Sequence, residues 1–316
     1  MAPSDPVYDP KIMGSWLVCT ACGTQFPTPN RQELKTCFIC DDPRQFTPQT
    51  GQAFTTLDDI RSHAKNTWIP VSGSAKFLSI HTEPKIGIGQ RAILIRTPRG
   101  NVLWDCLTLL DDETIGNING LGGLKAIVIS HPHYYSTHLE WARTFGCPVY
   151  LAAEDKEWTT QSSGHQVFIK ETELDLQIDG ASSGIMVLKL GGHFPGSLVA
   201  LHDERLLIAD TLMTTPAGLG NWDTDAARIA RSRPVGMNSY SFMWSIPNMI
   251  PLPPDEIQRM WGILKKYNFS STHGAFTHMD IVKTVPEMKR RVLESMQLQI
   301  KHMGYGEHAF LKETVD

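Results

Sequence analysis

Three histidines fall within eight positions of the stretch ISHPHYYSTHLEW, residues 129–141, directly after the apolar run 126–129. His131 and His133 alternate just beyond that run, so both imidazoles can point the same way from a strand end, a geometry suited to facial metal binding. Three further positions repeat the pattern of a ligand-type residue after an apolar run and beside a turn. His193 stands in LGGHFPGS, where two preceding glycines let the backbone approach closely. Asp210 ends LLIADTL, a poor place for an ionised carboxylate without a partner, and His273 precedes Gly274 in SSTHGAF. One such residue means little, but together they read as one metal constellation assembled from separate loops.

A second cluster lies near the N-terminus. Cys19, Cys22, Cys37 and Cys40 form a CxxC-x14-CxxC arrangement in which each pair makes a tight turn offering two thiolates to one ion. Four sulfurs in a tetrahedron favour zinc, with iron in a rubredoxin-like site second. Gly23 suits the turn of such a knuckle. Too little apolar sequence surrounds the pairs for a metal-free core, so the ion is expected to hold the segment folded. A closed four-sulfur site has no open position for substrate, which leaves a structural role as a docking surface or homodimer contact. Cys106 and Cys147 stand singly among apolar residues, and the whole distribution fits a reducing compartment.

The elements that must position these residues alternate in type. TTLDDIRSHAKNTW predicts a short helix capped near Thr55 or Thr56. KFLSIHTEP, QRAILIRTPRGNVLWDCL, KAIVIS, PVYLA and GIMVLKLGGH read as strands, with a hairpin turn at TPRGN and another hairpin in SLVALHDERLLIADTL. LEWARTFG, AAEDKEW, PPDEIQRMWGILKKY and PEMKRRVLESMQLQIKHMG have helical periodicity. The alternation shows no βαβ period and no internal repeat, and it suggests a layered α/β domain. We divide the chain into a four-cysteine zinc-binding module over 1–65 and a larger domain over 66–316. GLGGLK at 120–125 lacks the ending of a phosphate loop and precedes a strand, so it reads as a connecting turn. His63, His81, His165, His202, His278, His302 and His308 have no partner motif and read as surface or hydrogen-bonded histidines.

Composition narrows the partners. At 316 residues, 41% hydrophobic and 20% charged, with a formal net charge of -4, the chain has no general attraction for phosphate backbones or anionic membranes. No basic stripe interleaved with aromatics points to nucleic acid. The opening residues have no apolar leader and no stretch reaches eighteen apolar residues, so the expectation is a cytoplasmic protein without a membrane partner. The segment NWDTDAARIARSRPVGMNSYSFMWSIPNMIPLP offers Trp222, Met237, Tyr240, Phe242 and Trp244. Each alone reads as packing of a helical hairpin. As a group they favour a small, partly apolar substrate over a polymer.

The order and spacing of the ligand-type residues over roughly 75–280 resemble the metallo-β-lactamase superfamily. That resemblance implies an αββα sandwich of two mixed sheets faced by helices. It carries His131, His133, His193, Asp210 and His273 over as metal ligands, and places Asp105 of NVLWDCL near the site as a group supporting a ligand. Where the family motif His-x-His-x-Asp-His has its aspartate and last histidine, this chain has Tyr135 and Ser136, the two positions that complete a second metal site. His131, His133, His193 and Asp210 remain a full three-histidine, one-carboxylate set, so a single ion is the simplest reading. A second would need His273 together with His138, which lies two residues past the missing histidine at the start of a helix.

The activity implied is a zinc-dependent, lactonase-like hydrolysis of a small ester, lactone, amide or thioester by a metal-bound hydroxide. Asp210 would orient that hydroxide, while Tyr135 or His273 would steady the tetrahedral intermediate or protonate the leaving group. Two other readings stay open: a non-haem iron oxygenase on the same fold, and a catalytically inactive metal-binding interaction module.

Overall fold

A computed structural model describes residues 10–315. Met1–Asp9, the opening of the stretch read above as lacking an apolar leader, and Asp316 lie outside them. The chain divides into two compact units, Met1–Ile185 and Met186–Asp316.

In the first unit a seven-stranded mixed sheet runs through Lys65–Pro70, Phe77–Glu83, Ala92–Thr97, Gly100–Trp104, Ala126–Val128, Val149–Ala152 and Gln166–Ile169, neighbours in space as in sequence. The first four strands pair antiparallel and the last four parallel. The hairpin at TPRGN forms as expected, with Thr97 paired to Gly100. Ala126–Val128 is buried at every residue, which suits a parallel strand covered on both faces and explains its unbroken apolar run.

Parallel pairing requires crossovers, and here the structure departs from the absence of a βαβ period. Helix Asp112–Gly120 links Gly100–Trp104 to Ala126–Val128, and helix His138–Phe145 links that strand to Val149–Ala152. The first crossover is veiled in sequence because Gly116 and Gly120 lie inside it. It forms nonetheless, capped by Asp111, whose carboxylate accepts from the Thr114 N–H at 2.7 Å. AAEDKEW is a 3-10 helix, Ala153–Trp158, rather than an α-helix. Helix Leu57–His63 begins as predicted, with the Thr56 hydroxyl accepting from Asp59 N–H, but AKNTW leaves the helix and enters the sheet.

The four-cysteine knuckle lies within this first unit. Its buried cluster of Cys19, Cys22, Phe26, Cys37, Ile39 and Cys40 is completed by partly buried residues including Ile88 and Trp158, from beyond residue 65.

The second sheet has the order Glu173–Ile178, Ala181–Lys189, Leu198–His202, Arg205–Leu207, Ser271–His273, Asp280–Val282. It is also mixed: Ala181–Lys189, Leu198–His202 and Arg205–Leu207 pair antiparallel in turn, Arg205–Leu207 pairs parallel with Ser271–His273, and that strand pairs antiparallel with Asp280–Val282. In the second unit, helices Pro254–Leu264 and Val285–His302 share one core with the strands. The longer helix buries Met288, Val292, Leu293, Met296 and Ile300, a single stripe at helical spacing, while its other face carries charge. Each such apolar side chain contributes about 1.5–3 kcal/mol on burial. Residues 221–251 contain short strands, Tyr240–Ser241, Met243–Ser245 and Ile250–Pro251, where the sequence suggested a helical hairpin. Tyr240 and Phe242 are fully buried core residues rather than cleft walls. Among the described residues, no helix is long and apolar enough to cross a membrane.

Candidate metal centres

At the knuckle, Cys19 Sγ lies 3.6 Å from Cys40 Sγ, and Cys22 Sγ lies 3.7 Å from Cys37 Sγ. Disulfides would require about 2.0 Å. Four sulfurs at tetrahedral zinc, each bonded at about 2.3 Å, stand about 3.8 Å apart. The spacing thus fits an ion, and all four cysteines are buried within 4.8 Å of one another. The thiols also bias one another: hydrogen bonds from Cys22, Cys37 and Cys40 hold the Cys19 thiol far below its usual range, while the Cys22 and Cys40 thiols are driven far above it. Uncompensated, four thiolates cannot coexist in this space. A divalent cation would resolve the conflict. The turns are closed by backbone bonds, Gly23 N–H to Cys19 O and Cys40 N–H to Cys37 O.

The histidine loop follows strand Ala126–Val128. His131 is extended and starts a 3-10 turn, Pro132–Tyr134, which contains His133. The two rings therefore converge from a turn, not from strand alternation, with centroids 5.1 Å apart. Their ligand nitrogens lie within 4.8 Å of one another. Asp105 anchors the loop: at φ 61 its own N–H donates to Val128 O, and its carboxylate accepts from Ser130 N–H at 2.7 Å. Ser130 Oγ in turn lies 2.9 Å from His131 Nδ1. Asp105 thus reaches His131 through Ser130, by its amide and its hydroxyl.

In the second unit His193 and Asp210 face one another. His193 is fully buried and its Nδ1–H donates to the Trp244 carbonyl at 2.9 Å, which fixes the tautomer and presents the Nε2 lone pair. That nitrogen stands 3.8 Å from Asp210 Oδ2. The gap is too long for a hydrogen bond and close to the roughly 3.4 Å between two ligands of one tetrahedral ion. Gly191 and Gly192 make this possible, both at positive φ. A Cβ on Gly192 would stand 2.6 Å from Thr211 Oγ1 and 2.7 Å from Leu252 Cδ1. Sequence reasoning had placed Trp244 as an apolar wall. Its contribution here is a backbone carbonyl, which no residue type announces.

Three sequence-predicted site residues are engaged elsewhere. His138 donates from Nδ1 to Tyr135 O at 2.8 Å and accepts at Nε2 from Gln166 Nε2 at 3.0 Å, so neither nitrogen faces an ion. Burial pushes its pKa down to about 4. His273 has Nδ1 3.0 Å from Asp280 Oδ1 and Nε2 2.9 Å from Ser271 Oγ, and it is not among the residues offering a close ligand atom. Tyr135 is buried, its hydroxyl 3.5 Å from the Asp155 carbonyl it would donate to, and burial beside Asp155 drives its pKa up. Ser136 binds other residues: its Oγ accepts from Gln90 Nε2 at 3.1 Å and its carbonyl from Gln25 N–H at 3.2 Å. Among the described residues, no cluster of metal-type donors includes His138 or His273.

No family model matches the chain. It is 38% identical over 269 residues to the uncharacterized protein YmaE of Bacillus subtilis, covering 83% of this chain and 89% of that one. A probable metallo-hydrolase, MJ0888 of Methanocaldococcus jannaschii, is 23% identical over 147 residues, 41% of this chain and 66% of its own. Among solved structures, DIM-1 metallo-β-lactamase matches 75% of this chain and 98% of its own at 12% identity and a TM-score of 0.46. A flavoprotein of Thermotoga maritima matches 74% of this chain and 61% of its own at 12% identity and 0.44. By its likeness over most of both chains, the chain belongs to the family of YmaE, and among its described residues it carries a four-cysteine cluster near the N-terminus and a histidine and aspartate cluster of metal-type donors.

Proposed function

We propose that His131, His133, His193 and Asp210 act on one zinc ion, and that the protein is a mononuclear hydrolase of a small ester, lactone, amide or thioester. The observation that carries this is the pairing of His193 Nε2 with Asp210 Oδ2 at 3.8 Å, with the other ring nitrogen committed to a carbonyl. A ring nitrogen and a carboxylate oxygen at this separation suit two ligands of one ion. The donor set, three imidazoles and a carboxylate, suits zinc, and a water would enter either as a fifth ligand or at a position opened by Asp210. When bound, such an ion supplies an acidified water near neutral pH and polarises a carbonyl oxygen. The chain's own residues do the rest. His193 is held rigid by the Trp244 carbonyl and His131 by the Asp105–Ser130 bridge, so neither ring must reorient as charge develops. Asp210, 9% exposed, is the carboxylate able both to ligate and to accept a proton from an attacking water. Tyr135 and His273 do not protonate a leaving group in this account, because their polar atoms are turned to Asp155 and to Asp280 and Ser271.

The test is a panel of lactones, esters and thioesters assayed with the zinc-loaded wild type and with Asp210→Ala. Turnover of any of these classes, lost by about 10²–10⁴ in the variant, supports the reading. Turnover that survives in Asp210→Ala, or that requires iron and oxygen, overturns it. Cytoplasmic residence and a homodimer contact remain parts of the same proposal, supported by the free cysteines and the closed knuckle.

A further inference from the structure

The knuckle and the histidine loop are joined by more than proximity. Cys22 is followed by Gly23, Thr24 and Gln25, and Gln25 N–H donates to the carbonyl of Ser136, three residues beyond His133. Ser136 is held at φ 43, a conformation a serine keeps only where neighbours over-determine it. Gln25 is itself fixed on both sides, its carbonyl accepting from Thr160 Oγ1 at 2.7 Å and its side-chain amide donating to Met13 O at 2.9 Å. A second path runs through Thr108. Its hydroxyl donates to Gly23 O at 3.2 Å, while its carbonyl accepts from the Thr137 hydroxyl at 2.9 Å, at the far end of the histidine loop. Phe38, next to Cys37, stacks on Trp158 at 6.2 Å, and Arg44 lies over the same indole. Arg44 Nε holds Asp42 Oδ1 at 2.7 Å.

From these contacts we infer that the four-cysteine knuckle is the support of the loop 131–137, so that an ion at the cysteines holds His131 and His133 in position for theirs. The inference rests on the proposed function in one respect, that the histidine loop binds metal. The reasoning is causal. Four of the six buried residues of the knuckle's cluster are the cysteines themselves, so the position of Gly23, directly after Cys22, depends on the ion they share, and Gln25 two residues on is tied to it. Those two residues fill the acceptor of Ser136 and the donor of Thr108. The position at which the family motif places a metal-binding histidine is thereby used to dock the knuckle. Thr108 and Gln25 are positioning residues: neither is a ligand, and each acts through the backbone of the loop that carries the ligands.

The experiment uses the full chain. Zinc affinity of the histidine site is measured by chelator competition in wild type, Thr108→Val and Thr108→Ser, with knuckle zinc followed in the same samples by elemental analysis. Thr108→Val is expected to keep the knuckle ion and bind the histidine-site ion about tenfold more weakly, and Thr108→Ser, which restores the hydroxyl, to return to wild-type affinity. Cys37→Ser/Cys40→Ser is expected to lose both ions. Wild-type affinity in Thr108→Val, or a folded cysteine variant that still fills the histidine site, overturns the inference. A wild type whose metal content is unchanged by His131→Ala fails differently: it removes the proposed function itself, before any knuckle variant is compared.

Discussion

His138 and His193 are both buried histidines with a ring nitrogen bonded to a carbonyl, yet they have opposite fates. In His193 the second nitrogen faces a carboxylate, while in His138 it accepts from Gln166, and that single partner separates a candidate ligand from a hydrogen-bonded side chain. His138 is buried neutral, with a pKa lowered to about 4 from its ordinary 6.5. The unfolded chain therefore binds the extra proton first, so stability rises with pH between these values and is lost as pH falls from about 6.5 toward 4. The full contribution is about 3 kcal/mol. Urea unfolding of His138→Gln should show a flatter stability profile over that window than wild type; equal slopes would remove His138 as the cause. The candidate ligand residues stand out in the sequence because each lies just beyond an apolar run, at or beside a turn. Their supports do not, since the Trp244 carbonyl and the Ser130 amide are backbone groups that every residue has.

Among the elements, the turn holding His193 is the least tolerant of change. Gly192 sits at φ 88 with Thr211 and Leu252 where a side chain would begin, so Gly192→Ala should cost about 2–3 kcal/mol in chemical denaturation and weaken the histidine-site ion. A change within 0.5 kcal/mol would mean that the turn relaxes freely. By contrast Thr56→Ala removes only a helix cap and should cost about 1 kcal/mol without touching metal affinity. Strands with continuous apolar runs and the two long amphipathic helices could be read directly, because period and burial agree in them. Asp112–Gly120 could not, since its two glycines and weak apolar stripe mimic a loop until the crossover demanded by parallel pairing fixes it as a helix. In 221–251, aromatic residues suggested a helical hairpin, but the chain buries Tyr240 and Phe242 from short strands instead.

At the scale of the whole molecule, two clusters of metal-type donors among the described residues differ in chemistry: soft sulfurs at tetrahedral spacing, and imidazoles with one carboxylate. A strong chelator should lower the melting temperature because the ions bind only the folded chain, and excess zinc should restore it. The most direct measurement is elemental analysis of purified wild-type protein beside His131→Ala. The account predicts one zinc for the four cysteines and one for the histidine set in the wild type, with the second lost in the variant and the first retained. A metal content that His131→Ala leaves unchanged would contradict it.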